Sequence, residues 1–454
     1  MKKVAIGGGQ GFWGDSPDAA IHMIRNADIQ YMGCDYLAEL TLSIMAKQQL
    51  KDPTKGFAPD FTTRILKEAG KEAWDKHIKI CTNAGGMNIN GCVDGIRQWA
   101  EGNSMSGYKI GYVTGDNIKD KIPQLLKDGW TFPNFDYDGN FNDILDKIYN
   151  CNVYIGHEGI EGCLAEGADV VITGRAADSA LFLAPLKYEF GWAADDWDNL
   201  ARGIMAGHLL ECAGQVTGGY FADPGYKDVP DLWKLGFPLI EIDETGAFTV
   251  TKVEGSGGLV SVDTCKEQMI YEIHNPKAYL TPDATADFSK VTFRQIGENQ
   301  VRAEHATTHG RPETLKVSVG YKDCFIGEGE ISYGGSNCMA RAELAAEILE
   351  KRIELTGIEL EEYRTDFIGC NSLYRDAISK EIGSGTPCEV RLRAAGRTKD
   401  RKNAVLLANE VEALYTNGPA GGGGAVKRVS EIVSVCSIFV PRDAVEAKVT
   451  FREV

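Results

Sequence analysis

No two cysteines stand close enough in sequence to form a local metal or redox motif. Of the twelve, the nearest pair, Cys81 and Cys92, are eleven positions apart. Zinc ribbons, cluster motifs and redox pairs need cysteines about two to four apart, so the thiols are expected to be buried and reduced. An apolar run of about eighteen residues is also missing, which removes a transmembrane helix. The start Met1-Lys2-Lys3-Val4-Ala5-Ile6 reaches glycine before an apolar signal segment can develop, and a cytoplasmic protein is expected. Positive charge is in short supply: 48 Lys and Arg against 65 Asp and Glu give a net charge of −17. Nucleic acids and anionic membranes both require a basic footprint, so neither is an expected partner. There is no Gly-x-Ser-x-Gly elbow and no internal repeat, which leaves covalent serine catalysis and solenoid architectures without support.

What the chain does have is glycine, 52 in 454 residues, about 11% against a usual ~7%. In a folded chain that excess marks tight turns and places where backbone approaches something closely. In the first half, short apolar runs at 4–6, 29–33, 78–81, 110–113, 153–155 and 170–172 each end in a small or polar loop. Amphipathic stretches such as 17–24, 37–48 and 61–69 separate them. The alternation predicts an α/β fold, a parallel sheet with crossover helices over residues 1–236. From 237 the pattern changes to isolated strands, a hairpin over 314–321 and 324–333, and helices ending near 353 and 415. A second, α+β domain is therefore expected over 237–454. In an open parallel sheet the ligand lies off the carboxyl ends of the strands, where the first-half loops converge.

Gly9-Gln10-Gly11-Phe12-Trp13-Gly14 spells a dinucleotide fingerprint, and Asp35 follows the second strand. The helix, however, is expected to start only after the motif, with Ser16 as its cap and Pro17 as its first residue. Gly9, Gly11 and Asp15 are accordingly candidates for lining some ligand, with a nicotinamide-dependent oxidoreductase kept as an alternative. At two further strand ends, Asn83, Gly85 and Gly86 offer polar groups and exposed amides, and Arg175 can hold an anion in a fork. Asp178 reads either as a base or as the cap of the following helix. His208 and Glu211, three apart on one helical face, can form a general acid–base pair or a purely structural contact. Glu330 shares a strand face with Glu328, which suits acid–base work or a solvated surface. Gly257 and Gly258, with Lys252 and Lys266 nearby, suggest an anion nest compatible with a phosphorylated ligand such as an acyl-CoA. His305 and His309 fall in strand and turn contexts, and no metal site or resident cofactor is expected.

Several strings together resemble one family. They are Gly11-Phe12-Trp13-Gly14-Asp15-Ser16-Pro17, Asp35-Tyr36-Leu37-Ala38-Glu39, Thr82-Asn83-Ala84-Gly85-Gly86, Thr173-Gly174-Arg175, Gly207-His208-Leu209-Leu210-Glu211-Cys212 and Thr217-Gly218-Gly219-Tyr220-Phe221. The family is that of acyclic terpene utilisation, AtuA type, and the match is to its large N-terminal domain over residues 4–445. The resemblance implies a place in the breakdown of acyclic terpenes, where neighbouring steps act on branched acyl-CoA thioesters. It transfers no catalytic residues. Longer members continue into a small C-terminal domain, which implies a separate small polypeptide as a partner here.

The combined expectation is an oligomeric enzyme of branched-chain acid or acyl-CoA catabolism performing a hydration, isomerisation or lyase step on a small molecule. His208, Glu211, Asp178 or Glu330 would move protons, while Gly9, Gly11, Asp15, Asn83, Gly85, Gly86, Arg175, Gly257 and Gly258 bind substrate. A non-catalytic scaffold subunit is the alternative from another class.

Overall fold

A computed structural model describes residues 2–133, 140–382 and 387–454. The chain divides into two compact units, one comprising residues 1–320 and 435–454, the other residues 321–434.

The first unit includes the strands β1 (Lys3–Gln10), β2 (Tyr31–Cys34), β3 (Lys79–Thr82), β4 (Lys109–Thr114), β5 (Ile148–Val153), β6 (Val170–Thr173), β7 (Pro238–Asp243) and β8 (Phe248–Lys252). Its large sheet runs β8-β7-β1-β2-β3-β6-β4 through the middle. The pairs β1–β2, β2–β3, β3–β6 and β6–β4 are parallel, as the alternation of apolar runs and amphipathic helices requires. Antiparallel strands flank this centre: β7 against β1, β8 against β7, and Lys448–Glu453 against β4.

Side chains alternate between two cores, as the two-residue period of a strand dictates. Val4 and Ile6 of β1 face the core shared with helices Ala180–Phe190 and Trp197–Glu211. Ala5, Met32 and Ile80 face the opposite core, with helices Pro17–Asn26 and Ile89–Gly102. Helices thus cover both faces of the sheet.

Three expectations differ from this arrangement. In place of the hairpin over 314–321 and 324–333 there is one continuous strand, Thr314–Gly334, with no turn at Lys322-Asp323. The run at 153–155 is not a strand of the parallel sheet, because β5 pairs instead with the long strand Thr314–Gly334. The break placed after residue 236 does not coincide with the division into units, because β7 and β8 hydrogen-bond directly onto the β1 edge and carry residues 237–320 into the first unit.

The second unit has an antiparallel register of Glu362–Ile368 on Glu389–Thr398 and of Glu389–Thr398 on Thr314–Gly334. Helices Cys338–Thr356 and Arg401–Asn417 bury Ala342, Leu349, Val411 and Leu414 against it. Glu330 lies in this unit, where its carboxylate accepts from the Arg391 guanidinium, while Glu328 accepts from Arg393 at 2.9 Å. The strand face carrying the two acids is a ladder of ion pairs, a structural use of these carboxylates.

Candidate active site at the strand ends

Three βα loops meet at the carboxyl ends of β1, β2 and β6. The first is shaped by Asp15, whose carboxylate accepts from the Gly11 amide at 3.1 Å and the Ser16 amide at 2.7 Å. Ser16 caps the helix Pro17–Asn26 by accepting from Asp18 N, so the helix opens after the glycine motif. Burial raises the Asp15 pKa although these amides oppose the shift. In the second loop Asp35 accepts from Leu37 N at 2.9 Å and Asn83 Nδ2 at 2.7 Å. Burial, together with the nearby Asp178 charge, lifts Asp35 well above the usual carboxylate range. A dinucleotide fingerprint would need the Gly11 amide for pyrophosphate and the Asp35 carboxylate for ribose; here the Gly11 amide is given to Asp15, and Asp35 Oδ1 is held by Leu37 N and Asn83.

Arg175, in the third loop, is a fully buried arginine. Its guanidinium donates to the Leu37 carbonyl and, at 2.7 Å, to Asp178, and its centre lies 4.0 Å from the middle of the Tyr154 ring. Asp178 is therefore an ion-pair partner, and Ser179 occupies the N-cap position of the helix Ala180–Phe190. The Tyr154 hydroxyl donates to Glu39, which also receives Lys316 Nζ at 3.3 Å. Burial disfavours the Glu39 charge, but Arg175 and Lys316 outweigh it and hold the carboxyl at about 2.

The helix Trp197–Glu211 delivers the remaining groups. Two glycines on and just after β1 allow its end to come so close. A Cβ on Gly8 would lie 2.6 Å from the Leu210 carbonyl oxygen, and one on Gly11 2.9 Å from the Cys212 carbonyl carbon. His208 Nδ1 and Glu211 Oε1 are 2.6 Å apart, and both side chains are more than nine-tenths buried. Burial penalises the charged form of each, bringing the imidazole down to about 4 and the carboxyl well up. With both groups neutral, the carboxyl donates to Nδ1. Nε2–H is left as a donor and Oε2 as an acceptor, and neither atom has a partner. The imidazole lies among aromatic rings, with centroids 5.2 Å from Tyr279 and 6.1 Å from Phe288.

These groups surround a cleft with two lobes. The narrower encloses about 770 Å³ and is walled by Tyr154, Tyr279, Pro282, Pro312 and Phe439. The wider encloses about 1220 Å³, with Phe12, Leu37, Tyr220, Leu235 and Phe237 on its apolar side. Glu39, Asp178, Glu211, Tyr271 and Glu272 line both lobes, so the His208–Glu211 pair stands beside their junction. The narrower lobe alone is of the size that takes small organic ligands.

Of the residues singled out from sequence, His208, Glu211, Asp178, Arg175, Gly11 and Asp15 line this cleft. Asn83 stands behind it, its side chain accepting from Tyr36 N and donating to Asp35. Gly9 and Gly85 serve packing: a Cβ would lie 2.7 Å from Cys34 Sγ and 2.6 Å from the Thr173 carbonyl, respectively. Gly86 is in a left-handed turn, its amide given to the Asn83 carbonyl at 3.1 Å. The expected anion nest is closed, because the Gly257 and Gly258 amides donate to the Lys234 and Pro230 carbonyls. Sequence reading missed Glu39, Tyr154, Tyr279 and Lys316.

Among the described residues, His157, Glu158 and Asp283 are close enough to hold a metal ion, with ligand atoms within 4.8 Å. His157 Nδ1 is hydrogen-bonded to Asp283 at 2.7 Å, and Glu158 is paired with Arg311. Their geometry is therefore that of a hydrogen-bonded cluster. Among the described residues no helix is long and apolar enough to cross a membrane.

The family model described as acyclic terpene utilisation family protein AtuA matches residues 4–451. No curated protein shows a significant match to the chain.

Proposed function

The chain belongs to the acyclic terpene utilisation family AtuA, and from that premise we propose that it is a proton-transfer enzyme. Its step is a hydration, isomerisation or elimination on a branched-chain acid or an acyl derivative of one. The observation that carries this reading is the buried His208–Glu211 pair, with unpartnered Nε2 and Oε2 beside the junction of a two-lobed cleft.

The chemistry follows from the neutral pair. When Nε2–H gives its proton to a substrate, Nδ1 takes the Glu211 proton in the same relay. The imidazole stays neutral in its other tautomer, and Glu211 becomes a carboxylate. Run backwards, the relay removes a proton from the substrate. Asp178, held by Arg175, adds negative potential near the pair, and the Tyr154–Glu39–Lys316 group fixes the wall of the narrow lobe. The test is turnover of a panel of branched-chain acids and thioesters by the wild type, Glu211→Gln and His208→Ala. The reading expects a loss of about 10²–10⁴-fold in kcat in each variant with a smaller change in KM. Full turnover in both variants removes it.

A further inference from the structure

The narrow lobe holds a side-chain donor that the proton relay does not use. Tyr279 sits on a short strand, Tyr279–Leu280, which pairs antiparallel with Thr285–Asp287. Its ring packs against two others, with centroids 5.2 Å from the His208 ring and 5.5 Å from Phe288. The ring is thus held in place, yet the hydroxyl makes no hydrogen bond among the described residues. Tyr279 lines the narrow lobe together with His208 and Glu211. The titratable groups that act on its hydroxyl, Glu211, Asp178, Tyr154 and Arg175, are cleft residues as well. Three neighbouring donors are engaged: the Tyr154 hydroxyl and Lys316 go to Glu39, and the Thr281 hydroxyl goes to the Ala284 carbonyl. Burial, with the acids nearby, pushes the Tyr279 phenol well above its usual range, so the hydroxyl keeps its proton and acts by donating a hydrogen bond.

The proposed reaction calls for such a donor. Removing a proton from the carbon next to a carbonyl or carboxyl group moves negative charge onto oxygen, and a donor already placed at that oxygen stabilises the transition state. The His208–Glu211 relay supplies the base and leaves that oxygen unattended. With ring centres 5.2 Å apart, the Tyr279 hydroxyl and His208 Nε2 lie within the span of one small molecule.

We infer that Tyr279 is a further catalytic residue, its hydroxyl donating to the substrate oxygen on which charge develops while His208 takes the proton from the neighbouring carbon. In that step the C–H electron pair becomes the C=C bond of an enolate and the C=O π pair moves onto the oxygen that faces Tyr279. The proton goes to Nε2 as Nδ1 returns its own to Glu211. For an elimination, the enolate collapses and expels a β-hydroxyl, which leaves as water with the Nε2 proton. For an isomerisation, that proton returns to a different carbon. The assignment rests on the acid–base reading of the pair and adds the substrate class: a carbonyl or carboxyl group adjacent to the carbon that exchanges its proton.

The test uses the nitronate of 2-methyl-1-nitropropane, an anion with charge on oxygen beside a CH group as in an enolate, and the parent nitroalkane as its uncharged counterpart. Both are titrated calorimetrically into the wild type and Tyr279→Phe, which keeps the ring against His208 and Phe288. The wild type is expected to prefer the nitronate at least about tenfold, and Tyr279→Phe to lose at least about tenfold in nitronate affinity with nitroalkane binding and Tm unchanged. Equal nitronate affinity in the two proteins, no nitronate preference in the wild type, or a parallel loss for both probes overturns the inference. Full turnover of Glu211→Gln sinks the acid–base reading whatever the nitronate result. Equal nitronate affinity with turnover lost in Glu211→Gln sinks only the role of Tyr279.

Discussion

Glu211 Oε1 lies 2.6 Å from His208 Nδ1, one helical turn away on the last turn of a helix whose end is pressed against β1. Burial keeps both groups neutral, so this pair can give or accept a proton without a net charge on the imidazole.

The titration of His208 has a stability signature. An unfolded histidine takes up its proton near 6.5, whereas the folded imidazole does so only at about 4. Between those values the unfolded chain binds more protons, so stability falls as pH drops through the window. Urea unfolding at pH 4.5 and pH 7 should show a loss of roughly 2 kcal/mol from this residue, and His208→Asn should remove that part of the pH dependence. An unchanged slope in the variant contradicts the buried neutral imidazole.

Glu39 gives the opposite edge. Its folded carboxyl titrates at about 2 because Arg175 and Lys316 outweigh burial, so it contributes stability above the unfolded value near 4.3 that disappears as pH falls toward 2. Glu39→Gln should flatten acid unfolding in that range, measured by circular dichroism against pH.

Gly8→Ala puts a methyl 2.6 Å from the Leu210 carbonyl oxygen, whereas Gly102→Ala meets nothing within 4 Å. The first should cost about 1–3 kcal/mol and displace the helix end that carries the acid–base pair. The second should be neutral or slightly stabilising. Thermal unfolding of the two variants side by side checks the contrast, and equal Tm values would count against close packing of helix on strand.

Arg175→Lys keeps a charge but loses the fork that spans Leu37 and Asp178 and the stacking on Tyr154. A destabilisation of roughly 2–4 kcal/mol and loss of ligand binding are expected. Glu330→Gln breaks only its pair with Arg391 and should leave turnover at the wild-type level.

The parallel centre of the sheet was legible because apolar runs and polar loops alternate with the period of a parallel fold. His208 and Glu211 were legible through their spacing on one helical face. The glycines were harder, since a sequence shows that Cβ is excluded but not by what. At Gly9 the excluded space holds Cys34 and Met32, and at Gly85 it holds the Thr173 carbonyl. Tyr154, Tyr279 and Lys316 were invisible for another reason: they join the cleft from segments distant in the chain and carry no local motif. The acidic balance, which in the sequence only excluded partners, has a structural counterpart in the carboxylates around the cleft.

The most direct test of the acid–base site is deuterium incorporation in D₂O. A panel of hydroxylated and unsaturated branched-chain acids and their uncharged esters is incubated with wild type and with Glu211→Gln, and mass spectrometry follows exchange at carbon. The account predicts incorporation into at least one compound by the wild type and a rate lower by about a hundredfold or more in Glu211→Gln. Equal incorporation by both proteins would contradict it.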